Sequence, residues 1–222
     1  MQPAGSHWLP RILAAIAPLL VTAACGRLPD YALPKAQLVD AAQLAGGDGV
    51  PYRHLTRADF RATAPPIENV GHAARMSAFT CANVVPQREL KVDVRQTQPR
   101  GEFVARPKQV AFIAKMDRNC SWWNPKQEGA RPDYVLQHEQ IHFAIAEAGA
   151  RELTGRIRDL SATGSSPEQA ATALQRAIDG IFRDAVEAMT ARNTAFDRDT
   201  SGLSEPVLQQ RWYDQLSAEL KR

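Results

Sequence analysis

The run Pro132-Asp133-Tyr134-Val135-Leu136-Gln137-His138-Glu139-Gln140-Ile141-His142-Phe143-Ala144-Ile145 divides the chain into two kinds of sequence. Before it, short apolar stretches of strand length are separated by turn residues. From it onward apolar residues recur about every 3.6 positions, the helical period. Pro132 and Asp133 mark a helix start, and Val135, Leu136, Ile141, Ile145 and Leu153 recur on one side as far as about Leu160. Residues four apart on a helix differ by about 40° around the axis and one turn along it. His138 and His142 therefore point the same way, and two imidazoles so placed can grip one metal ion.

Glu139 follows the first of these histidines, where its carboxylate can reach a water on the ion without coordinating it. That division of labour is what zinc hydrolysis needs. Three protein ligands lower the pKa of a zinc-bound water to about 7, a carboxylate takes the proton, and the ion polarises the scissile carbonyl. In this reading Zn2+ is the cofactor, His138 and His142 are ligands, and Glu139 is the general base. With five histidines in the chain, chance produces H-E-x-x-H on the order of one time in a hundred or less.

No histidine follows His142, so a downstream third ligand must be a carboxylate. Glu147 is nine residues past His138 and about 180° around the helix, better placed to pair with Arg151 four residues on. If a second helix folds back after a turn near 163, residues 185–189 come level with the histidines, which makes Glu187 a candidate. Asp197 and Asp199, placed just past that helix, are the others. Arg192 and Arg198 form a cationic pair nearby, either solvated or available to a substrate carboxylate. Trp122 and Trp123 read as core or wall residues beside the site, and His54 and His72 as surface histidines.

Around this motif the chain reads as one α+β domain, residues 51–222. Residues 51–120 are mainly strands: apolar or alternating runs at 78–85, 89–94, 102–104 and 110–114, separated by Pro86, Pro99-Arg100-Gly101 and Pro107. They predict a small antiparallel sheet. Residues 132–222 are mainly helical, a zincin-like half of about three helices. Ser161-Ala162-Thr163-Gly164-Ser165 is the first stop, and Ser166-Pro167-Glu168-Gln169 offers an N-cap, a first-turn proline and a capping-box glutamine for a helix to about 195. Ser204 and Pro206 open a third.

The N-terminal residues belong to a different class of sequence. Arg11 precedes an apolar run, residues 12–21, too short to span a bilayer and interrupted by Pro18, which reads as an export signal over residues 1–25. Val21-Thr22-Ala23-Ala24-Cys25 resembles a bacterial lipobox, with Cys25 as the lipidated residue; the alternative is cleavage at Ala24 with a free thiol. Gly26, not Asp, follows, which by resemblance to such lipoproteins favours the outer membrane. Residues 26–50, rich in glycine and proline, read as a tether. In an oxidising compartment Cys81 and Cys120 predict one disulfide, the alternative being two buried thiols. The net charge of +3 is spread among acids, which speaks against nucleic acid as a partner, and 44% apolar with 23% charged residues suits a packed core.

The stretch Ser121-Trp122-Trp123, then residues 135–147 with Ala150-Arg151, resembles a bacterial family of predicted secreted zinc-dependent proteases, catalogued as a domain of unknown function of the 922 type. Phe196-Asp197-Arg198-Asp199-Thr200 resembles a second motif of that family, and together they cover about residues 75–215. The family often has Asp in place of Ala144, and a His-Gly pair where this chain has Ser201-Gly202. The departure leaves a substitute ligand such as Asp197, or a fold kept without activity. The combined expectation is a metallopeptidase of the periplasmic side of the cell envelope, acting on a peptide or protein substrate and touching the membrane through its lipid only. The alternative is a non-catalytic envelope lipoprotein that binds or scaffolds.

Overall fold

A computed structural model describes residues 49–66, 69, 71, 74–97, 101–124, 126, 131–201 and 203–221. The export signal, the lipobox with Cys25, residues 26–48 of the tether and His72 lie outside the described residues. The elements run β1 (Gly49–Pro51), a 3-10 turn (Arg57–Asp59), β2 (Ala78–Phe79), β3 (Ala82–Pro86), β4 (Lys91–Gln96), β5 (Phe103–Lys108), β6 (Phe112–Asp117), β7 (Trp122–Trp123), α1 (Pro132–Arg158), β8 (Ala162–Gly164), α2 (Pro167–Thr200) and α3 (Pro206–Leu220). The α+β arrangement, strands first and three helices after, is as expected.

The strands form three small antiparallel sheets, ordered β1-β6-β3, β2-β7 and β4-β5-β8. This corrects several details of the sequence reading. The tether was expected to reach residue 50, yet Gly49 and Val50 already pair with Asp117 and Met116. The run 78–85 is two strands, because the chain changes sheets at Cys81: its N–H donates to Ser121 Oγ at 3.0 Å, and its carbonyl accepts from Asp117 N–H at 2.9 Å. Pro107 does not end a strand but lies inside β5 opposite Val92. It is tolerated there because β8 pairs only with residues 103–105, so beyond them β5 is an edge that needs no donor. The expected turn at 161–165 contains strand β8, and both tryptophans form β7, so strands do not stop where helices begin.

Helix α1 packs against β3, β6, α2 and α3. It is buried on nearly every side, including the polar residues Gln137, His138, Glu139, Gln140 and Glu147. Each buried polar group on such a helix needs a partner, and three of them tie the fold together. Gln140 Oε1 accepts from Leu55 N–H at 2.7 Å and its amide donates to the Arg53 carbonyl at 3.2 Å, docking the loop after β1. Glu147 accepts from Arg151 Nε at 2.8 Å, the pairing expected from their spacing, and from Ala114 N–H at 3.4 Å. Burial pushes the Glu147 carboxyl up against the opposing effect of Arg151. Thr154 Oγ1 accepts from Phe112 N–H at 2.9 Å, fastening α1 to β6.

Two apolar clusters flank these ties. One gathers Tyr52, Phe60, Met116, Trp123, Phe143, Ile145, Phe196 and Leu216; the other gathers Ala105, Phe112, Leu153, Ile157, Leu174 and Ile178. On α2 the buried positions Ala170, Leu174, Ile178, Ala185 and Phe196 make a stripe, as the helical period requires. Ser166 caps α2 by accepting from Gln169 N–H at 3.3 Å, while the Gln169 side chain accepts from Ser165 N–H and Oγ. At Gly149 α1 and α2 approach closely: a Cβ there would stand 2.3 Å from Met189 Sδ.

Cys81 and Cys120 are joined in a disulfide with Cα atoms 5.7 Å apart across a sequence separation of 39. Closing a loop of that length restricts the unfolded chain, and the Cys81→Ser, Cys120→Ser protein should lose about 3 to 4 kcal/mol of unfolding free energy. Denaturant midpoints of the oxidised protein and the double variant measure the difference.

Candidate metal centre

His138 and His142 leave α1 one turn apart and meet Asp197, which arrives from the last two turns of α2. His142 Nε2 lies 3.0 Å from Asp197 Oδ1 and 3.3 Å from His138 Nε2, and His138 Nε2 lies 3.3 Å from the same carboxylate oxygen. The three residues form a group that could hold a metal ion. Two donors on a tetrahedral ion with bonds of about 2.0 Å stand roughly 3.3 Å apart, so the spacing suits a single small ion with three protein ligands.

The outer ring nitrogens explain why the inner ones are free to coordinate. His138 Nδ1 lies 3.2 Å from Gln209 Oε1, and His142 Nδ1 lies 2.7 Å from Asn193 Oδ1. Both amides are oriented by their own donations, Gln209 Nε2 to the Tyr134 carbonyl at 3.1 Å and to Gln137 Oε1 at 3.0 Å, Asn193 Nδ2 to the Met189 carbonyl at 2.9 Å. Their oxygens can only accept, so each Nδ1 carries the proton and each Nε2 presents its lone pair inward. Two imidazole lone pairs and a carboxylate oxygen thus converge, and a positive charge is required between them. Phe196 walls the group, its ring 4.4 Å from that of His138 and 4.9 Å from that of His142.

In the metal-free protein that charge is a proton. Burial opposes ionisation of His142, but the Asp197 hydrogen bond, the nearby Glu139 and Asn193 outweigh it and push its pKa up to about 9. Burial raises the Asp197 carboxyl, yet its hydrogen bonds to the two imidazoles hold it far below the usual carboxylate range.

Glu139 is buried on α1, and its Oε2 has no hydrogen-bond partner among the described residues. It lines, with His138, His142 and Asp197, a cavity of about 500 Å³ whose other walls include Met76 to Thr80, Thr190, Asn193 and Leu203. The Asp197 side chain is 55% exposed, so the group opens toward that space.

Of the three carboxylates considered as third ligand, the fold brings in Asp197 and leaves Glu187 exposed on α2. The assumed tight turn near 163 is the reason: β8 carries the chain into a sheet before α2 starts, so Asn193 and Asp197, not residues 185–189, come level with the histidines. Asp197 and Asp199 are also inside α2, which continues to Thr200. Asp199 turns away and accepts from Trp212 Nε1 at 3.2 Å. Arg192 is paired with Glu219 and Arg198 with Asp199, so neither stands ready for a substrate carboxylate. His54 is half-buried and outside the group. Gln209 and Asn193 were missed, since a single amide on a helix carries no signal in sequence until the fold shows what it faces.

Residues 130–205, which span α1, β8 and α2, match the model of a family described as a bacterial protein of unknown function (DUF922). The match supports the family resemblance borne by the α1 and Phe196–Thr200 motifs. No curated protein and no solved structure matches the chain.

Because a proton occupies the site that an ion would take, uptake of a divalent metal at pH 7 should release about one proton per ion, and apparent affinity should rise about tenfold per pH unit toward pH 9. Calorimetry in buffers of different ionisation heats reads the proton count. The same raised pKa stabilises the metal-free fold below about 6.5, and that contribution is lost as pH rises through about 9. The melting temperature of chelator-treated protein should fall across this window. Asp197→Asn should weaken metal binding at least tenfold, while Glu187→Gln leaves it unchanged.

Proposed function

We propose that the chain is a zinc-dependent hydrolase, a metallopeptidase of the bacterial cell envelope. The observation that carries the reading is Glu139: a buried carboxylate with an unpartnered oxygen, in the same cavity as three converging donors on two helices. A buried polar group without a partner costs about 1–3 kcal/mol, a cost that a catalytic role accounts for.

The donor set, two neutral imidazoles and one carboxylate, suits zinc with one position left open. Zinc held there would supply a Lewis acid and a water that ionises near neutral pH. His138, His142 and Asp197 would hold the ion, and Gln209 and Asn193 keep the imidazoles from turning. Glu139 takes the proton from the attacking water and passes it to the leaving amine nitrogen. A cavity of about 500 Å³ lies within the usual range for ligand sites, enough for a short stretch of peptide. The departure at Ser201-Gly202 is met by Asp197, so no histidine from that turn is needed to complete three ligands.

Export rests on the sequence: the signal over residues 1–25, the lipobox ending at Cys25 and the disulfide suit a periplasmic protein tethered by lipid, on the outer-membrane side by the Gly26 criterion. A binding or scaffold lipoprotein is the competing reading, and one experiment separates the two. Glu139→Gln should retain one zinc per chain and lose about 10²–10⁴-fold in turnover of quenched-fluorescent peptide pools and of cell-wall peptides. Wild-type turnover in this variant would remove Glu139 from the mechanism. A wild-type protein that is zinc-loaded and inert on every pool would favour the scaffold.

A further inference from the structure

His142 and Asp197 are supported from within α2, the first by Asn193 and the second by its own place on the helix. His138 is different. Its Nδ1 partner, Gln209, comes from α3, a separate element beyond the segment that matches the family. Gln209 is fully buried, although glutamine is mostly found at the surface. All its polar atoms are engaged: Oε1 by His138, Nε2 by the Tyr134 carbonyl and Gln137 Oε1. Both Nε2 acceptors sit on the first turns of α1. The side chain therefore joins α3 both to the start of α1 and to the ring of His138.

The rest of α3 shows that this contact depends on docking. Trp212 Nε1 donates to Asp199 at 3.2 Å, and its ring packs edge-on against Phe196, which itself walls the two histidines. Arg192 makes a two-pronged pair with Glu219, and Arg151 Nη1 donates to the Leu220 carbonyl at 2.8 Å. These contacts lie one to three turns beyond Gln209 and hold the helix at the depth where its amide meets the ring.

We propose that Gln209 is a positioning residue for the metal centre and that docking of α3 and metal occupancy are coupled through the His138–Gln209 hydrogen bond. With α3 in place, the proton of His138 is confined to Nδ1 and Nε2 is presented to the ion. With α3 displaced, the ring can turn or take the other tautomer, and one of three ligands is lost. By linkage, an ion that needs His138 in this state favours the docked helix by the same factor that docking favours the ion. The inference rests on the three-donor group binding a metal, as the proposed function does, but not on hydrolysis.

The test uses the whole mature chain, with zinc as the probe. Gln209→Met keeps the side-chain volume and removes the acceptor; zinc affinity, measured by competition with a chromophoric chelator, should fall about ten- to a hundredfold. Gln137→Met removes a partner of Gln209 but leaves the His138 contact, and should stay within about threefold of wild type. Zinc should also slow amide exchange across Pro206–Leu220 in the wild type and less so in Gln209→Met. Equal zinc affinity in Gln209→Met and wild type overturns the proposal. So does a ring 15N spectrum of the metal-free wild type showing the His138 proton on Nε2, a readout that stands even if Gln209→Met fails to fold or no peptide is ever cleaved.

Discussion

Lone pairs that face one another at 3.0–3.3 Å repel unless a positive charge lies between them. That constraint organises the helical half of this protein. Gln209 and Asn193 place the imidazole protons on the outer nitrogens, so the inner nitrogens and the Asp197 oxygen must share a cation. A proton bound at His142 serves in the metal-free protein, and the same group could hold a metal ion. The cost of holding three acceptors together is met by tightly packed surroundings: α1 is buried on nearly all sides, Phe196 packs tilted against the His138 ring and edge-on to the His142 ring, and Trp212 backs Phe196.

The strand half has a different task. It closes the space in front of the donors and leaves a cavity. The segment Met76 to Thr80 runs along one wall, fastened behind by the pairing of β2 with β7 and by Asn124, whose backbone N–H donates to the Ser77 carbonyl and whose side chain donates to the Met76 carbonyl. At its end the chain turns at Cys81 into β3, with the disulfide to Cys120 marking the crossing between sheets. Buried polar residues of α1 fasten the two halves together: Gln140 takes the loop after β1, and Glu147 and Thr154 take β6. A helix with so many polar groups is stable in a core because each tie satisfies a backbone donor or acceptor of the sheet side. Glu139 has an oxygen without such a tie among the described residues, and its residue lines the cavity.

Most of what is local was legible in the sequence. The His138–His142 spacing, the proline-opened starts of α1, α2 and α3, the Ser166 cap and the Glu147–Arg151 pair all lie within one or two turns of chain, where helical geometry alone decides direction. The strand residues were found, but their ends shifted, and Pro107 and the 78–85 run were misread. Whether a proline or a cysteine interrupts a strand depends on which neighbour is paired at that position, and the sequence does not show the neighbour.

The sequence by itself determined that two imidazoles share one helix face with a carboxylate beside them, that a disulfide was available, and that strands precede helices. Tertiary structure alone decided that Asp197 rather than Glu187 completes the group, because that choice depends on the register between α1 and α2. The register was set by β8 joining a sheet before α2 began and by Gly149 admitting Met189. It also alone delivered Gln209, 71 residues from the histidine it orients. Helical periodicity carries directional information over a few turns. Across a connection, relative placement comes from packing and pairing, which involve residues far apart in the chain.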